Sequence, residues 1–257
     1  MNRLARLDEG FYVAVSTQFV SNTVVVRGAA GSLVVDPGVT VEEVAGLAAD
    51  LATLQSAPEL GFSTHPHWDH LIWSTALGSV PRFATRRAVE IAQGERDGLI
   101  EGLQDAAPGH DLGLFAQITP MAGGIDQLTW SGPRAIVLEH QAHAPGHAAV
   151  FFPQSGILLA GDMLSDIEIP LLDLDSVTAV ADYRRALDQF AALTGVALVV
   201  PGHGHPGNGA EFRRRVEQDQ RYLDALESGA PHDPRLSAQW LAEEFERQRN
   251  YLTNGGR

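Results

Sequence analysis

Residues 64–70 read Thr-His-Pro-His-Trp-Asp-His and place three imidazoles and one carboxylate within six residues. Alternate side chains of an extended segment point in the same direction, so His65 and His67 can bind one metal ion. The turn that follows can direct Asp69 and His70 towards a second position. Imidazole and carboxylate ligands without a thiolate suit zinc, manganese or iron. The segment therefore predicts a transition-metal site.

Four shorter motifs accompany this segment, each at the end of a Val- or Leu-rich stretch or in a Gly-Pro turn. Their order and spacing, together with the first motif, resemble those of the metallo-β-lactamase superfamily over about residues 11–208. The C-terminal 50 or so residues lie outside the resemblance. The four motifs are Val34-Val35-Asp36-Pro37-Gly38, Ala144-Pro145-Gly146-His147, Leu159-Ala160-Gly161-Asp162 and Pro201-Gly202-His203-Gly204.

The resemblance implies an α/β fold of the αβ/βα type, a four-layer sandwich. Two mixed β-sheets lie face to face, helices cover both outer faces, and the metals lie at one edge between the sheets. It also implies two divalent metal ions per chain, zinc first, with manganese or iron as alternatives. The implied ligands are His65, His67 and His147 for one metal, Asp69, His70 and His203 for the other, and Asp162 as the bridge.

Two metals held in this way can share a bridging hydroxide and polarise a substrate oxygen, so the expected enzyme is a metallohydrolase. Asp69 is the expected catalytic carboxylate, orienting the hydroxide or carrying its proton. The expected substrate is small to medium in size, with an ester, thioester, lactone or amide bond. The alternatives are a phosphodiesterase, a mononuclear iron redox enzyme of the same superfamily, and a non-catalytic binding member.

Several residues of this chain differ from those of particular subfamilies, which reduces the number of subfamilies it could belong to. There are no cysteines, which excludes the zinc β-lactamases with Cys at the bridging position. The ligand set looks like that of glyoxalase II, but Leu71-Ile72-Trp73 stands where those enzymes carry small residues. Quorum-quenching lactonases have a Tyr where this chain has Ser165. Flavo-diiron proteins have Glu in place of His67.

Charge and composition limit the partners. The formal net charge is -14 and every basic residue is Arg, with no Lys. A polyanionic surface repels nucleic acid and anionic lipid, and the three consecutive arginines at 213–215 are expected to form a solvated helix face. The expected partner is a small molecule, with no nucleic acid and no membrane; the oligomeric state stays open. Residues 1–10 show no targeting signal, so a cytoplasmic location is expected.

The hydrophobic pattern predicts one α/β domain over residues 1–257. Short Val-rich stretches at 11–15, 23–27 and 32–35 predict a strand meander, and Thr40 is expected to cap a helix over 41–54. Further strands are expected at 134–139, 148–152, 157–160 and 196–200. Further helices are expected at 86–93 and 177–193, with C-terminal helices within about 211–251, namely 211–226 and 234–251.

Residues 94–124 show no clear period and are expected to form an irregular stretch that covers the metal site. His143 is expected to support the site without binding metal, because the ligand count is already full. Asp36 is expected to orient a ligand imidazole, and Trp68 could line the pocket. An apolar pocket wall is expected from Pro66, Leu71, Ile72, Trp73, Ile167, Ile169, Pro170, Leu171 and Leu172.

Overall fold

A computed structural model describes residues 4–229 and 232–254. Within them the chain forms thirteen strands, several of only two or three residues. The strands are β1 (Ala5–Asp8), β2 (Phe11–Val15), β3 (Asn22–Arg27), β4 (Ser32–Val35), β5 (Pro58–Phe62), β6 (Arg82–Ala84), β7 (Thr119–Pro120), β8 (Gln127–Leu128), β9 (Ala135–His140), β10 (His147–Phe152), β11 (Ile157–Gly161), β12 (Leu198–Pro201) and β13 (Gly207–Asn208).

Six α-helices lie between or after these strands. The meander, the capped first helix and the helix predicted at 211–226 fall where the sequence predicts them. Prediction fails at 234–251, where a 3₁₀ turn (Pro234–Ser237) comes before the last helix; Ala238 is extended and separates the two. The helices are α1 (Val41–Thr53), α2 (Arg86–Gly94), α3 (Arg96–Ala106), α4 (Ala179–Ala191), α5 (Gly209–Ser228) and α6 (Gln239–Thr253).

The strands form two mixed sheets. In the first, β1 to β7 follow in chain order; β1 to β4 pair antiparallel, and β4 to β7 pair parallel. The second has the order β13-β12-β11-β10-β9-β8, with only β11 and β12 parallel. A capping box fixes the start of α1, because Thr40 and Glu43 each bond the other's backbone N–H.

Three buried clusters separate four layers. Alternate residues of the two sheets, such as Val24 and Val150, meet in a central core between the sheets. The other face of the first sheet, including Val34, is covered by α1, α2 and α3. The other face of the second sheet, including Phe151, is covered by α4, α5 and α6. The expected αβ/βα sandwich is therefore confirmed.

The prediction for residues 94–124 is wrong in two respects. Arg96–Ala106 is a regular helix, α3, whose Leu103 is buried against the first sheet with Phe115 and Ile118 from the segment after it. The helix packs against the turn Trp68–His70, with Gly102 beside the Trp68 ring, and none of its residues lines the cavity at the metal-type residues. Its apolar residues pack in the core between the first sheet and its helices, so the segment stabilises the His-rich segment from the side that faces the core.

The parallel strand pairs gather the loop ends at one edge of the sandwich. Val35 pairs with Phe62, so Asp36 and the segment beginning at Ser63 emerge side by side. Gly161 pairs with Pro201, which places the residues after each strand side by side as well. Among the described residues, no helix has the length and hydropathy required to cross a membrane.

Candidate metal centre

Two groups of ligand-type side chains meet at this edge. The first group contains His65, His67, His143 and Asp162, and the second contains Asp69, His70 and His203. In each group, one donor atom per residue lies within 4.8 Å of the others. The residues come from the loops after β5, β9, β11 and β12, so both sheets contribute.

Asp162 lies between the two groups. Its Oδ2 is 3.4 Å from His65 Nε2, 3.3 Å from His143 Nε2 and 3.2 Å from His203 Nε2. Its Oδ1 is 3.3 Å from His70 Nε2. One carboxylate therefore contacts imidazoles of both groups, which is the geometry that a bridging ligand needs.

Two glycines allow the carboxylate to take this position. A Cβ at Gly202 would lie 1.9 Å from Asp162 Oδ1, so a side chain there would displace the carboxylate. Gly161 has φ +55°, and a Cβ there would lie 2.2 Å from His147 Nε2. Both close approaches require glycine, which explains the Gly-Asp and Pro-Gly-His motifs in physical terms.

Three of the histidines have a contact at Nδ1 that aims Nε2 inward. His67 is the exception, because its Nδ1 itself faces the cluster, 3.1 Å from His65 Nε2 and from His143 Nε2. His143 Nδ1 donates to Leu171 O at 3.1 Å, and His203 Nδ1 donates to Phe19 O at 3.0 Å. His65 Nδ1 lies 3.0 Å from the Thr64 hydroxyl. A hydrogen bond at one ring nitrogen sets the tautomer and frees the other nitrogen to bind a metal.

Asp36 orients His70, as predicted. Its Oδ2 lies 3.0 Å from His70 Nδ1, while Oδ1 accepts the Thr64 N–H at 2.9 Å. The Thr64 hydroxyl also donates to Oδ2 at 2.7 Å. Asp36 thus holds the ring of His70 and the start of the His-rich segment together.

The donor set fits metal ions. Tetrahedral zinc with bonds of about 2.0–2.1 Å places neighbouring ligand atoms about 3.3–3.4 Å apart. The inward-facing atoms show this spacing, for example 3.3 Å between His203 Nε2 and Asp69 Oδ2 and 3.4 Å between His70 Nε2 and the same oxygen. Within the described residues, the buried Asp162 Oδ1 also has no hydrogen-bond donor.

The third histidine of the site is His143, which corrects the expectation for His147. His147 begins β10 on the face shared with Ala149 and Phe151, which packs against the helices. Its Nε2 accepts the Asp162 N–H at 3.1 Å and its Nδ1 lies 3.2 Å from His140 Nε2. His143 sits in the preceding loop at φ +68°, which turns its ring into the cluster. His147 therefore contacts the backbone of Asp162, and His143 rather than His147 lies among the donor atoms that could hold a metal.

The pKa values of the histidines in the cluster are shifted in opposite directions. Burial lowers the pKa of His67 to about 4, with repulsion from His143 adding to the effect. Burial also lowers the pKa of His203, but attraction to Asp162 and Asp69 overcomes this and raises the pKa to about 11. Burial raises the pKa of Asp162, yet the imidazoles hold it well below its usual range. The carboxylates therefore attract positive charge to this site.

A cavity of about 590 Å³ opens above the cluster. Of the apolar wall predicted from sequence, only Trp68, Leu171 and Leu172 line it, because Leu71, Ile72 and Trp73 pack into the core beside the first sheet. No residue of 94–124 is among the described residues that line it. The remaining lining residues are Phe19, His67, Asp69, His143, Asp162, Glu168, Asp173, Leu174, Asp175, His203, Trp240, Glu244 and Arg247.

Glu168 is a cavity residue that the motifs do not indicate. Its N–H donates to Ser165 Oγ at 3.0 Å, and its carbonyl accepts from the buried Arg235 at 2.7 Å. Burial raises the pKa of its carboxyl group to about 7, and the nearby Asp162 adds to the shift. Nothing in the sequence near Glu168 marks it, since its location depends on a loop held by an arginine 67 residues away.

Family comparison agrees with this geometry. The family model described as "Metallo-beta-lactamase superfamily" matches residues 16–203, which is more than half of the 257 residues. The chain belongs to the metallo-β-lactamase superfamily. The matched segment includes both ligand groups and ends before α5 and α6.

Two proteins of Bacillus subtilis (strain 168) are similar in sequence. "Probable metallo-hydrolase YqjP" is 33% identical over 118 residues, which cover 39% of this chain and 35% of that protein. "Probable metallo-hydrolase YflN" is 24% identical over 193 residues, which cover 63% of this chain and 70% of that protein. The chain thus matches about a third of the first relative's length.

Solved structures share the fold. A metallo-beta-lactamase family protein from Thermus thermophilus superimposes with a TM-score of 0.68 and 23% identity, covering 87% of this chain and 82% of that one. A beta-lactamase domain protein from Burkholderia ambifaria has a TM-score of 0.66 and 19% identity, covering 87% of this chain and 73% of that one.

Proposed function

We propose that this protein is a hydrolase that uses two divalent metal ions, zinc in the first instance, to cleave an ester, thioester, lactone or amide bond of a small to medium substrate. One observation carries the proposal. Inward-facing atoms of seven His and Asp residues converge in two groups beside a cavity, and the Asp162 carboxylate of the first group also contacts His70 and His203 of the second.

The chain's own groups have distinct tasks. The first metal would be held by His65, His67 and His143, and the second by Asp69, His70 and His203, with Asp162 serving both. When bound, such a metal pair supplies a water nucleophile at neutral pH and polarises the substrate oxygen. Asp69 Oδ2 faces the second group and can accept or return a proton there.

A small uncharged substrate suits the surroundings better than a nucleic acid. Outside the ligand groups, four acidic side chains and one arginine line the cavity. A nucleic-acid substrate would need a basic track to neutralise its phosphates. The proposal therefore includes a small uncharged substrate and no nucleic-acid or membrane partner.

We expect purified protein to bind two metal ions per chain and to hydrolyse carbonyl substrates more efficiently than phosphodiesters. The measurements are elemental analysis of protein expressed without added metal, followed by kcat/KM for an aryl ester, a thioester, a lactone, a bis-aryl phosphate and single-stranded RNA at one pH. Apo protein prepared with a chelator is the control, and added zinc should restore activity.

Each contrary outcome identifies an alternative. A saturating content of one iron per chain would favour the mononuclear redox enzyme. A higher kcat/KM for the phosphate or RNA substrate would favour a phosphodiesterase. Stoichiometric metal binding without turnover of any substrate class would contradict the proposed catalytic function.

Glu168 is expected to bond the bound substrate. Its backbone is fixed at both ends and its carboxyl group lines the cavity without a hydrogen bond to any described residue. We expect Glu168→Gln to keep both metals and to lower kcat/KM about 10- to 100-fold, which corresponds to the loss of one charged hydrogen bond. The matched control is Asp175→Asn, which should have little effect; equal activity of both variants would show that Glu168 has no such role.

A further inference from the structure

The last helix forms a cavity wall that the family model does not cover. Trp240, Glu244 and Arg247 of α6 line the cavity, and their i, i+4, i+7 spacing places them on one face of the helix. The matched segment ends at residue 203, so this wall belongs to the part of the chain outside it.

The neighbouring face of α6 anchors this wall. Leu241 and Phe245 are buried in the core beneath the second sheet. Gln248 is fully buried, donates to Pro170 O at 3.0 Å and accepts from the Tyr222 hydroxyl at 3.0 Å. The Tyr251 hydroxyl donates to Ser176 O. The helix is therefore fixed against the 170–176 segment, which supplies other residues of the cavity.

Exposed aromatic surface is concentrated at this cavity. Five large hydrophobic side chains are exposed among the described residues, and the only two aromatic ones, Phe19 (51%) and Trp240 (50%), both line it. Phe19 is held by its carbonyl bond to His203 and by an edge contact with Trp68 at 6.0 Å. Leu171, Leu172 and Leu174 add apolar surface. Such a patch marks a binding surface.

The charges of the same cavity disfavour an anionic ligand. Arg247 is paired with Glu244 through two bonds of 2.7 and 3.0 Å, so its charge is already compensated. Asp173, Asp175 and Glu168 are further acidic side chains of the lining, and of these only Asp175 is close enough to interact electrostatically with Arg247.

We propose that Phe19 and Trp240, with the leucines at 171, 172 and 174, form a subsite for the uncharged, apolar acyl arm of the substrate. The inference rests on the proposed function for the reacting carbonyl, which lies at the metal-type cluster. Substrates with a long aliphatic or aromatic acyl arm are preferred over acetyl compounds, and arms that end in a carboxylate are rejected.

The test is a series of 4-nitrophenyl esters in which only the acyl arm varies. In Trp240→Ala, we expect kcat/KM for the octanoyl ester to fall about tenfold while that for the acetyl ester is unchanged, because apolar pocket contacts of this size discriminate by about that factor. Metal content should stay at the wild-type value. Ile125→Ala is the matched control, since Ile125 is equally exposed (51%) and does not line the cavity.

Charge rejection is tested with the monoester of octanedioic acid, which matches the octanoyl ester in length and ends in a carboxylate. We expect wild-type protein to hydrolyse it at least about tenfold less efficiently than the octanoyl ester. Equal efficiency for the two esters would overturn this part of the inference.

Binding of 2-decanone, a neutral ketone that cannot be hydrolysed, separates the subsite from catalysis. Calorimetry should show that Trp240→Ala binds it about tenfold more weakly than wild type and the Ile125→Ala control. An unchanged octanoyl-to-acetyl ratio and unchanged ketone affinity in Trp240→Ala would overturn the inference alone. Absence of turnover of every ester, thioester, lactone and amide tested, with Trp240-dependent ketone binding, would overturn the proposed function and leave the subsite standing.

Discussion

Asp162→Ala is expected to lose both metal ions and at least about 10³-fold in kcat/KM, the scale of effect seen when preorganised electrostatic stabilisation is removed. Asp162 Oδ2 lies 3.2–3.4 Å from three imidazole nitrogens of the two groups. Without this carboxylate, the two metal ions would face five imidazoles and a single carboxylate, that of Asp69, so less of their charge would be neutralised. Elemental analysis and kcat/KM for the best substrate measure the two losses.

Two further variants make this result interpretable. Asp162→Asn keeps the volume and should also lose metal, which separates ligation from packing. Asp175→Asn changes a carboxyl group of the same cavity outside both ligand groups, and should keep its metal. Melting temperatures and circular dichroism check that each variant folds. Two metals retained in Asp162→Asn would contradict the bridging assignment.

Local rules predicted much of the fold. The Thr40 cap, the Val-rich meander and the amphipathic helix after Asp173 depend on neighbouring residues, so the sequence suffices to place them. The His-rich segment is also local: extended backbone followed by a tight turn brings His65, His67, Asp69 and His70 together. The geometry of a short stretch of backbone is therefore enough to predict that these residues lie together.

Residues whose roles depend on distant contacts were not predicted. The mixed pattern of α3 hides a helix whose apolar side is divided between the core and the turn of Trp68. Glu168 faces the cavity because Arg235 holds its carbonyl, and Trp240 does so because Gln248 fixes α6. No local pattern encodes a wall that is built from the far end of the chain.

The two histidines at 143 and 147 show the same limit on a smaller scale. Both lie in one Ala-Pro-Gly turn, and either could supply a ligand by spacing alone. The choice depends on two backbone facts: His143 has a positive φ, and His147 is already a strand residue paired with His140. Strand alternation then turns His147 towards the helix-covered face. Its ring still packs against that of His65, with the centroids 4.8 Å apart, but its Nε2 accepts the Asp162 N–H and is not one of the grouped donor atoms.

This assignment gives the second large effect, a contrast between two alanine variants. We expect His143→Ala to lose the metal of the first group and about 10³-fold in kcat/KM, because it removes a ligand atom that lies 3.1 Å from His67 Nδ1 and 3.3 Å from Asp162 Oδ2. We expect His147→Ala to keep both metals and lose about 10- to 100-fold, the effect typical of a residue that orients a ligand. Metal content per chain, measured on protein shown by its melting curve to be folded, decides between the two residues.

His147 is fully buried, so His147→Asn serves as a second variant that fills more of the space. If His147→Asn folds and loses as much metal as His143→Ala, then His147 is a ligand and does not act only on the backbone of Asp162.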